Sequence, residues 1–289
     1  MRNIPIQLHQ NLNLLLFLTL GYLFANVHLS LLEIVIIILY TLLVEHILLY
    51  LNPKREFYLS YSAISTAVGV MVMLYSNSLY LYLILILLAL LQKHYITIQN
   101  SHLFNPSNFA VVVGMVLFYR EVHIVSGEFG NEIWLNIIFS IVALVMLIRV
   151  DRWIISLSFI IGYIIFEYLL VVSYDPILYF DMVYKRFYSI SLMLFIYFML
   201  TDPAVTPKNR ITQAIFGLLL ALLSSLLDRF YGYRTQHLFI ALFILSPYII
   251  ILKSINRKNI LIALLVTIFT LIVTYTMENK PPYYFEMEG

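Results

Sequence analysis

The chain has 289 residues, of which 62% are hydrophobic and 11% are charged, and its mean hydropathy is +0.93. This composition excludes the common classes of soluble domain and indicates an integral membrane protein. The absence of cysteine excludes disulfides, thiolate-bound iron-sulfur clusters and a cysteine nucleophile. The net charge is +2 and the basic residues are dispersed, so no nucleic-acid partner is expected.

A membrane-spanning helix needs roughly 20 mostly apolar residues. The sequence therefore predicts an all-α polytopic membrane protein with about 10–11 transmembrane helices. The first run leads directly into a second one and lacks a small-residue cleavage site, so we expect it to be retained as a helix. The candidate spans are approximately 11–28, 30–51, 57–75, 78–96, 105–119, 132–150, 152–172, 187–201, 211–230, 235–253 and 258–277.

The basic residues indicate an orientation. If the loops alternate sides, most Lys and Arg residues fall on the side of the N-terminus, and acidic residues such as Glu121, Glu128 and Asp175 fall on the other. Basic loops favour the cytoplasm. We therefore expect a multi-pass protein of the bacterial inner (plasma) membrane, with its N-terminus cytoplasmic and the tail YYFEMEG outside.

Weak internal similarities predict a repeat. VEHILLYLNP at 44–53 resembles FEYLLVVSYDP at 166–176, REFYLSYS at 55–62 resembles KRFYSISL at 185–192, and HLF occurs at 102–104 and 237–239. The order is the same in both halves, and five spans per half require that the halves cross the membrane in opposite directions. The expected organisation is a single transmembrane domain, 1–289, with repeat one at about 11–119, repeat two at about 132–253 and an extra C-terminal helix at about 258–277.

The stretch HLFNPSNF, residues 102–109, predicts a helix start between apolar runs. Pro106 suits the first helical turn, and Asn105 can cap the N-H groups exposed there. The amide end of such a helix can attract an anion. Plain capping without a ligand is the alternative interpretation of these residues.

A second proline motif, MLTDPAVTPKNR, closes the eighth run at residues 199–210. An interruption of a helix within the membrane is tolerated where other protein groups or a water-filled cavity provide hydrogen bonds for the exposed backbone N-H and C=O groups. Asp202 is expected either to orient a ligand or close the repeat interface, or to form a simple turn with Lys208 and Arg210 at a basic edge.

Glu45 and Glu167 each lie in strongly apolar surroundings. A carboxylate in hydrocarbon is costly and generally faces a partner or a wet cavity. The two glutamates are candidates for an ion or proton path; the alternative is a structural ion pair with Lys or Arg, or a neutral carboxyl group.

The pattern SAISTAVG at 62–69, then Lys93, then HLFNPSNF and FMLTDPAVTP at 198–207 resembles the NqrB/RnfD family. These proteins are membrane subunits of the Rnf electron-transport complex and of the sodium-translocating NADH:quinone reductase. The sequence resembles more closely still a stand-alone branch of this family that is associated with enediyne biosynthesis. The resemblance implies a ten-helix inverted-repeat core related in shape to urea channels.

The resemblance also implies a flavin, with one departure. Pump subunits carry FMN esterified to the threonine of an S-G-A-T motif, whereas the nearest segment here is Ser126-Gly127-Glu128-Phe129, which has no threonine. Covalent attachment is therefore not expected, which leaves two alternatives: noncovalent FMN or riboflavin, or no cofactor. No metal site is predicted.

These observations favour a membrane component of a flavin-associated electron-transport or ion-translocating system. Its side chains offer no redox chemistry of their own, so the protein would position and tune the cofactor. Glu45 and Glu167 are the predicted ion path. The predicted cofactor-binding residues are Ser62, Thr66, Asn105, Pro106, Ser107, Asn108, Thr201, Asp202 and Thr206.

Two other function classes remain open at this point. A cofactor-free transporter or channel for a small solute would use the same inverted-repeat scaffold, and the missing threonine favours it. A scaffold that holds partner subunits is the third class. The expected partners are the lipid bilayer and other membrane redox subunits.

Overall fold

The computed structural model describes residues 6–24, 28–52, 58, 60–98, 101–124, 133–174, 179–187, 189–203 and 205–253, with isolated helical positions at 261, 264, 265, 268 and 272. The helices are α1 Ile6–Phe24, α2 Leu31–Leu51, α3 Ser62–Met73, α4 Leu79–Tyr95, α5 Pro106–Leu117, α6 Ile133–Val150, α7 Trp153–Glu167, α8 Phe180–Arg186, α9 Ile190–Leu194, α10 Arg210–Tyr231 and α11 Gln236–Lys253. Two of them continue as π-helical segments, α7 into Tyr168–Val172 and α9 into Phe195–Met199. The strands are β1 Leu74–Tyr75, β2 Thr97–Ile98, β3 Ser101–His102 and β4 His123–Ile124.

Within the described residues, three helices are long and apolar enough to cross a membrane: Leu31–Leu51, Trp153–Val172 and Arg210–Tyr231. Other apolar runs form shorter helices, such as the 12-residue α5. The structure thus supports a mostly helical multi-pass membrane protein, while the predicted number of 10–11 full spans is not reached in this part of the chain. The predicted eleventh span, 258–277, lies almost entirely outside the described residues.

The surface of the long helices is apolar. On α2 the exposed side chains include Leu32, Val35, Leu39 and Leu43, which recur every three or four residues and so share one helix face. Such a stripe would be costly against water and suits contact with lipid tails. This exposed apolar face agrees with a membrane protein.

Local sequence sets where α2 begins. The Ser30 hydroxyl accepts a hydrogen bond from the Glu33 backbone N-H at 3.3 Å, and the Glu33 carboxylate accepts one from the Ser30 backbone N-H at 2.8 Å. This reciprocal capping box satisfies N-H groups that have no partner inside the helix.

The α2 and α4 helices run parallel to each other. Near their starts, His28 Nε2 lies 2.6 Å from Tyr82 Oη. Near their ends, Lys93 Nζ donates to Glu45 Oε1 at 2.5 Å. The acidic residue of the first half is therefore held at the C-terminal end of a parallel helix pair.

The α7 and α10 helices form a second parallel pair. Gln213 Nε2, in the first turn of α10, donates to the Asp151 carbonyl just before α7 at 3.0 Å. Near the other end, Arg229 Nη1 donates to the Leu170 carbonyl at 3.1 Å. Glu167 and Asp228 consequently lie toward the same end of this pair.

The central helix is α3, which contacts α1, α2, α4, α5 and α9. The β2–β3 pairing, with Thr97 opposite His102, turns the chain from α4 into α5. This hairpin brings His102 next to the start of α5, and α3 presents Ser62 and Thr66 to the same interior region.

Small residues allow α7 and α10 to approach closely. A Cβ at Gly217 would lie 2.6 Å from the Ile155 carbonyl oxygen, which belongs to the backbone of α7. At Gly162 a Cβ would instead meet the flexible end of Leu218 at 2.9 Å. Small residues at helix interfaces of membrane proteins serve this purpose.

We expect Gly217→Ala to destabilise the protein by about 1–3 kcal/mol, because the α7 backbone cannot yield without opening the helix pair. The matched control is Gly162→Ala, whose added methyl group would meet the flexible end of Leu218 at 2.9 Å and the Ala221 Cβ at 3.2 Å, so it requires a smaller shift. Thermal unfolding in mild detergent measures both. An equal loss of stability in the two variants would contradict the assigned packing.

Candidate functional site

Asn105 links the two proline motifs. Its Oδ1 accepts a hydrogen bond from the Asn108 backbone N-H at 3.1 Å, which makes Asn105 the N-cap of α5, and Pro106 occupies the first helical turn. Its Nδ2 donates to Asp202 Oδ2 at 3.0 Å. His102 Nε2 lies 3.3 Å from the same Asp202 oxygen. The capped helix start and the Thr201-Asp202-Pro203 turn therefore meet at one carboxylate.

A cavity of about 410 Å³ lies beside this contact. Its walls come from α1, α3, α5, the end of α4 and the segment around Asp202. Apolar side chains supply one part of the wall: Leu14, Met73, Leu194, Phe198 and Met199. Polar and charged side chains supply the other part: Ser62, Ser65, Thr66, Lys93, His102, Asn105, Ser107 and Asp202.

Most of the predicted cofactor-binding residues converge on this cavity. Six of the nine line it: Ser62, Thr66, Asn105, Pro106, Ser107 and Asp202. The sequence separates these residues by up to 140 positions, and the fold brings them to one place.

The other three predicted residues make structural hydrogen bonds instead. Asn108 Nδ2 donates to the Phe239 carbonyl on α11 at 3.2 Å. Thr201 Oγ1 donates to the Tyr197 carbonyl at 2.7 Å, and Thr206 Oγ1 donates to the Asp202 carbonyl at 2.6 Å. Their hydroxyl and amide groups hold the backbone around the cavity and do not line it.

Both carboxyl oxygens of Glu45 have hydrogen-bond partners. Its Oε1 accepts from Lys93 Nζ at 2.5 Å and from Ser60 Oγ at 2.8 Å, and its Oε2 lies 3.0 Å from His94 Nε2. The Glu45 side chain is fully buried. For this residue the structure has the geometry of the alternative interpretation, a structural ion pair.

Lys93 connects Glu45 to the cavity. Besides Glu45, its Nζ donates to Ser62 Oγ at 2.6 Å, and the Lys93 side chain lines the cavity wall. Lys93 is part of the sequence pattern that carries the family resemblance, yet nothing in the sequence pairs it with Glu45, because 48 positions separate the two residues.

Glu167 has different surroundings. The residue is fully buried, and neither carboxyl oxygen has a hydrogen-bond partner among the described residues. Nearby, Arg186 Nη1 donates to Asp228 Oδ2 at 2.8 Å, and His237 Nδ1 lies 2.6 Å from Asp228 Oδ1. Arg186 also donates to the Tyr163 hydroxyl. Sequence reasoning missed Arg186, Asp228 and His237, since no spacing pattern relates them.

Two further predictions concern covalent flavin attachment and metal binding. The segment Ser126-Gly127-Glu128-Phe129 lies outside the described residues. Among the residues that the structure does describe, no group of three or more His, Cys, Asp or Glu side chains could hold a metal ion.

Replacing Glu45 by glutamine should destabilise the protein by about 3 kcal/mol or more, because Lys93 would remain buried without its counter-charge. The control is Glu33→Gln in the same helix, where glutamine can serve equally in the capping box. Thermal unfolding in detergent compares the two. Similar melting temperatures for both variants would contradict the structural role of the Glu45–Lys93 pair.

A family model agrees with the resemblance to the NqrB/RnfD family but does not distinguish the branch associated with enediyne biosynthesis. No curated protein matches the chain. The model of the NQR2, RnfD, RnfE family matches residues 115–244, from the end of α5 into α11. This range includes Glu167, Asp202 and Asp228, but neither Glu45 nor the start of α5. Together, the apolar helices and this match identify the chain as a multi-pass membrane protein that is similar to the NQR2, RnfD, RnfE family over residues 115–244.

Proposed function

We propose that the protein is a membrane component of a flavin-associated electron-transport or ion-translocating system, and that the 410 Å³ cavity binds a noncovalent flavin, FMN or riboflavin. The observation that carries the proposal is the convergence of six of the nine predicted cofactor-binding residues on this one cavity. The similarity to the NQR2, RnfD, RnfE family supports electron transport or ion translocation as the function, because Nqr and Rnf subunits belong to such systems.

The cavity suits a flavin in size and chemistry. Ligand pockets commonly have volumes of about 300–1,000 Å³ and combine apolar walls with a few placed polar groups. A flavin ring has apolar faces and an edge of hydrogen-bond donors and acceptors. Leu14, Met73 and Phe198 can pack against the faces, while Ser62 and Thr66 can bind the edge.

Charged groups of both signs border the cavity, because Asp202 lies in its wall and Lys93 is paired with Glu45. Lys93 lies in the wall, and the N-terminal end of α5 adds the partial charge of the helix dipole. Bound flavin would supply one- and two-electron transfer. The chain would hold the ring, exclude water and place the Lys93 ammonium group where it stabilises added negative charge.

The two parallel helix pairs support the proposed inverted repeat. In the first half, α2 and α4 carry Glu45 and Lys93 toward their C-terminal ends. In the second half, α7 and α10 carry Glu167 and Asp228 in the corresponding place. If the halves cross the membrane in opposite directions, the two acidic clusters lie toward opposite membrane faces, with the cavity where the halves meet.

A cofactor-free transporter for a small solute is the second candidate function. Ser126-Gly127-Glu128-Phe129 lacks the threonine that carries FMN in the pump subunits, and this departure favours the alternative. The polar wall of the same cavity would then bind the solute. In both cases we place the protein in the bacterial inner membrane with a cytoplasmic N-terminus, and other membrane redox subunits are the partners of the first candidate.

Purified in mild detergent, the protein is expected to show flavin absorbance and fluorescence, with a flavin that acid releases and mass spectrometry identifies. Thr66→Val should weaken flavin binding about 3- to 10-fold, because one ligand hydrogen bond is lost while the side-chain shape is kept. Asp202→Ala should weaken it as well, because the contact that closes the cavity at Asn105 is removed.

Thr41→Val is the matched control for Thr66→Val. Thr41 Oγ1 donates to the Ile37 carbonyl one turn earlier at 2.6 Å, as Thr66 Oγ1 does to the Ser62 carbonyl at 3.2 Å, but Thr41 does not line the cavity. Flavin binding should be unchanged in this control. A protein that stays colourless after riboflavin and FMN are supplied contradicts the flavin proposal, and uptake of small solutes into proteoliposomes then tests the alternative.

A further inference from the structure

The two membrane glutamates are not equivalent. Glu45 has a full set of donors, Lys93, His94 and Ser60, whereas both oxygens of Glu167 lack a hydrogen bond within the described part of the chain. We infer that Glu167 is a proton-binding site that is neutral at physiological pH and exchanges its proton with water, and that Glu45 is a fixed structural anion. This inference deepens the proposed function by making the proton its coupling ion, but its test does not require a flavin.

Burial without a partner favours the neutral form of Glu167. The residue is fully buried between α7 and α10. A charged carboxylate taken out of water loses several kcal/mol of solvation unless donors or a counter-charge replace it. Among the residues described around it, none forms a hydrogen bond to either oxygen and the facing cation, Arg186, is paired with Asp228, so the carboxyl group keeps its proton.

The charged groups that face Glu167 do not compensate for a negative charge on it. From α10, Asp228 and Ser225 face it, and from α8, Arg186 does. Arg186 is already committed to Asp228 Oδ2 at 2.8 Å and to the Tyr163 hydroxyl. Because Asp228 neutralises Arg186, no net positive charge remains from this pair for Glu167.

The remaining neighbours complete the cluster on the other side of Asp228. His237 Nδ1 lies 2.6 Å from Asp228 Oδ1, and the Arg234 backbone N-H donates to the same oxygen at 2.8 Å. The ring of Tyr233 lies under the Arg186 guanidinium, 3.5 Å from Cζ to the ring centroid. Arg186, His237 and the Arg234 N-H stabilise Asp228 as an anion, which further disfavours a second negative charge at Glu167.

The hydroxyl group of Ser225 lies beside the Glu167 carboxyl group. Ser225 is fully buried, and its Oγ has no hydrogen-bond partner among the described residues. A protonated carboxyl can donate to such an oxygen after a small side-chain rotation, and a charged one can accept from it. The site therefore offers a partner in both protonation states of Glu167.

The backbone at Glu167 also departs from a regular helix. Glu167 ends α7, and the π-helical segment Tyr168–Val172 follows directly. Short π-helical segments inside α-helices frequently occur at functional sites. The Leu170 carbonyl in this segment accepts from Arg229, whose side chain reaches the exposed ring of Tyr174 at 3.8 Å. The helix end beyond Glu167 is therefore close to the surface.

We assign proton exchange to this end of α7 and α10. Release breaks the O-H bond of the carboxyl group and leaves the electron pair on Glu167, and the proton passes to water. Uptake reverses the step. Each event changes the charge of the cluster by one unit, which requires no oxidant or reductant.

Infrared spectroscopy of the purified, flavin-free full-length protein tests the assignment. At neutral pH the spectrum should contain the carbonyl stretch of a protonated carboxyl group, which shifts in D₂O and declines as the pH is raised. The band should be lost in Glu167→Gln and retained in Glu33→Gln, which keeps the capping box of α2. A neutral-pH spectrum without such a band, or a band that Glu167→Gln leaves unchanged, overturns the proposal.

A second measurement needs no variant. Carbodiimides react with protonated carboxyl groups in apolar surroundings, and mass spectrometry locates the adduct. We expect labelling of Glu167 that declines at high pH, with no adduct on Glu45. An adduct on Glu45 without one on Glu167 contradicts the assignment, and because flavin content is measured separately, this result would leave the flavin proposal untouched.

Discussion

The hydrogen bond between Asn105 and Asp202 joins the two parts of the chain on which the cavity depends. One amide group performs two tasks, since its oxygen caps the first turn of α5 and its nitrogen binds the carboxylate that follows α9. Within an apolar protein an unsatisfied helix start is costly, so the helix begins where Asn105 can cap it. The same residue then fixes the distance between the two proline motifs.

The buried charged side chains that the structure describes also have hydrogen-bond or ion-pair partners within the protein, with the exception of Glu167. Glu45, Lys93 and His94 satisfy one another, and Arg186, Asp228 and His237 form a similar set at the other parallel helix pair. Glu167 is the buried carboxyl group without donors in the described structure. A scaffold that neutralises its other buried acids and leaves this one unpaired can change charge at a single position, and the proton exchange inferred for Glu167 rests on this asymmetry.

Sequence alone predicted the membrane class, the helix start at Asn105 and Pro106, and six of the residues that line the cavity. These depend on composition and on local chemistry such as capping, which a short stretch already contains. The partners of Glu45 and the cluster around Asp228 could not be predicted, because they depend on which faces of parallel helices meet. Hydropathy placed most helices closely, since the runs 30–51, 78–96 and 132–150 contain α2, α4 and α6. It did not predict that α1 begins at Ile6, or that α3 ends at Met73 because Leu74 and Tyr75 pair with β4.

The central claim is that the cavity between α3, α5 and the Asp202 turn binds a flavin. A cryo-EM map of the protein in lipid nanodiscs, recorded after incubation with riboflavin, tests it most directly. The account predicts density for one planar ring in this cavity, with its edge near Ser62 and Thr66 and its face against Phe198. A map in which the cavity holds no such density under saturating riboflavin, or in which the ring binds elsewhere, would contradict it.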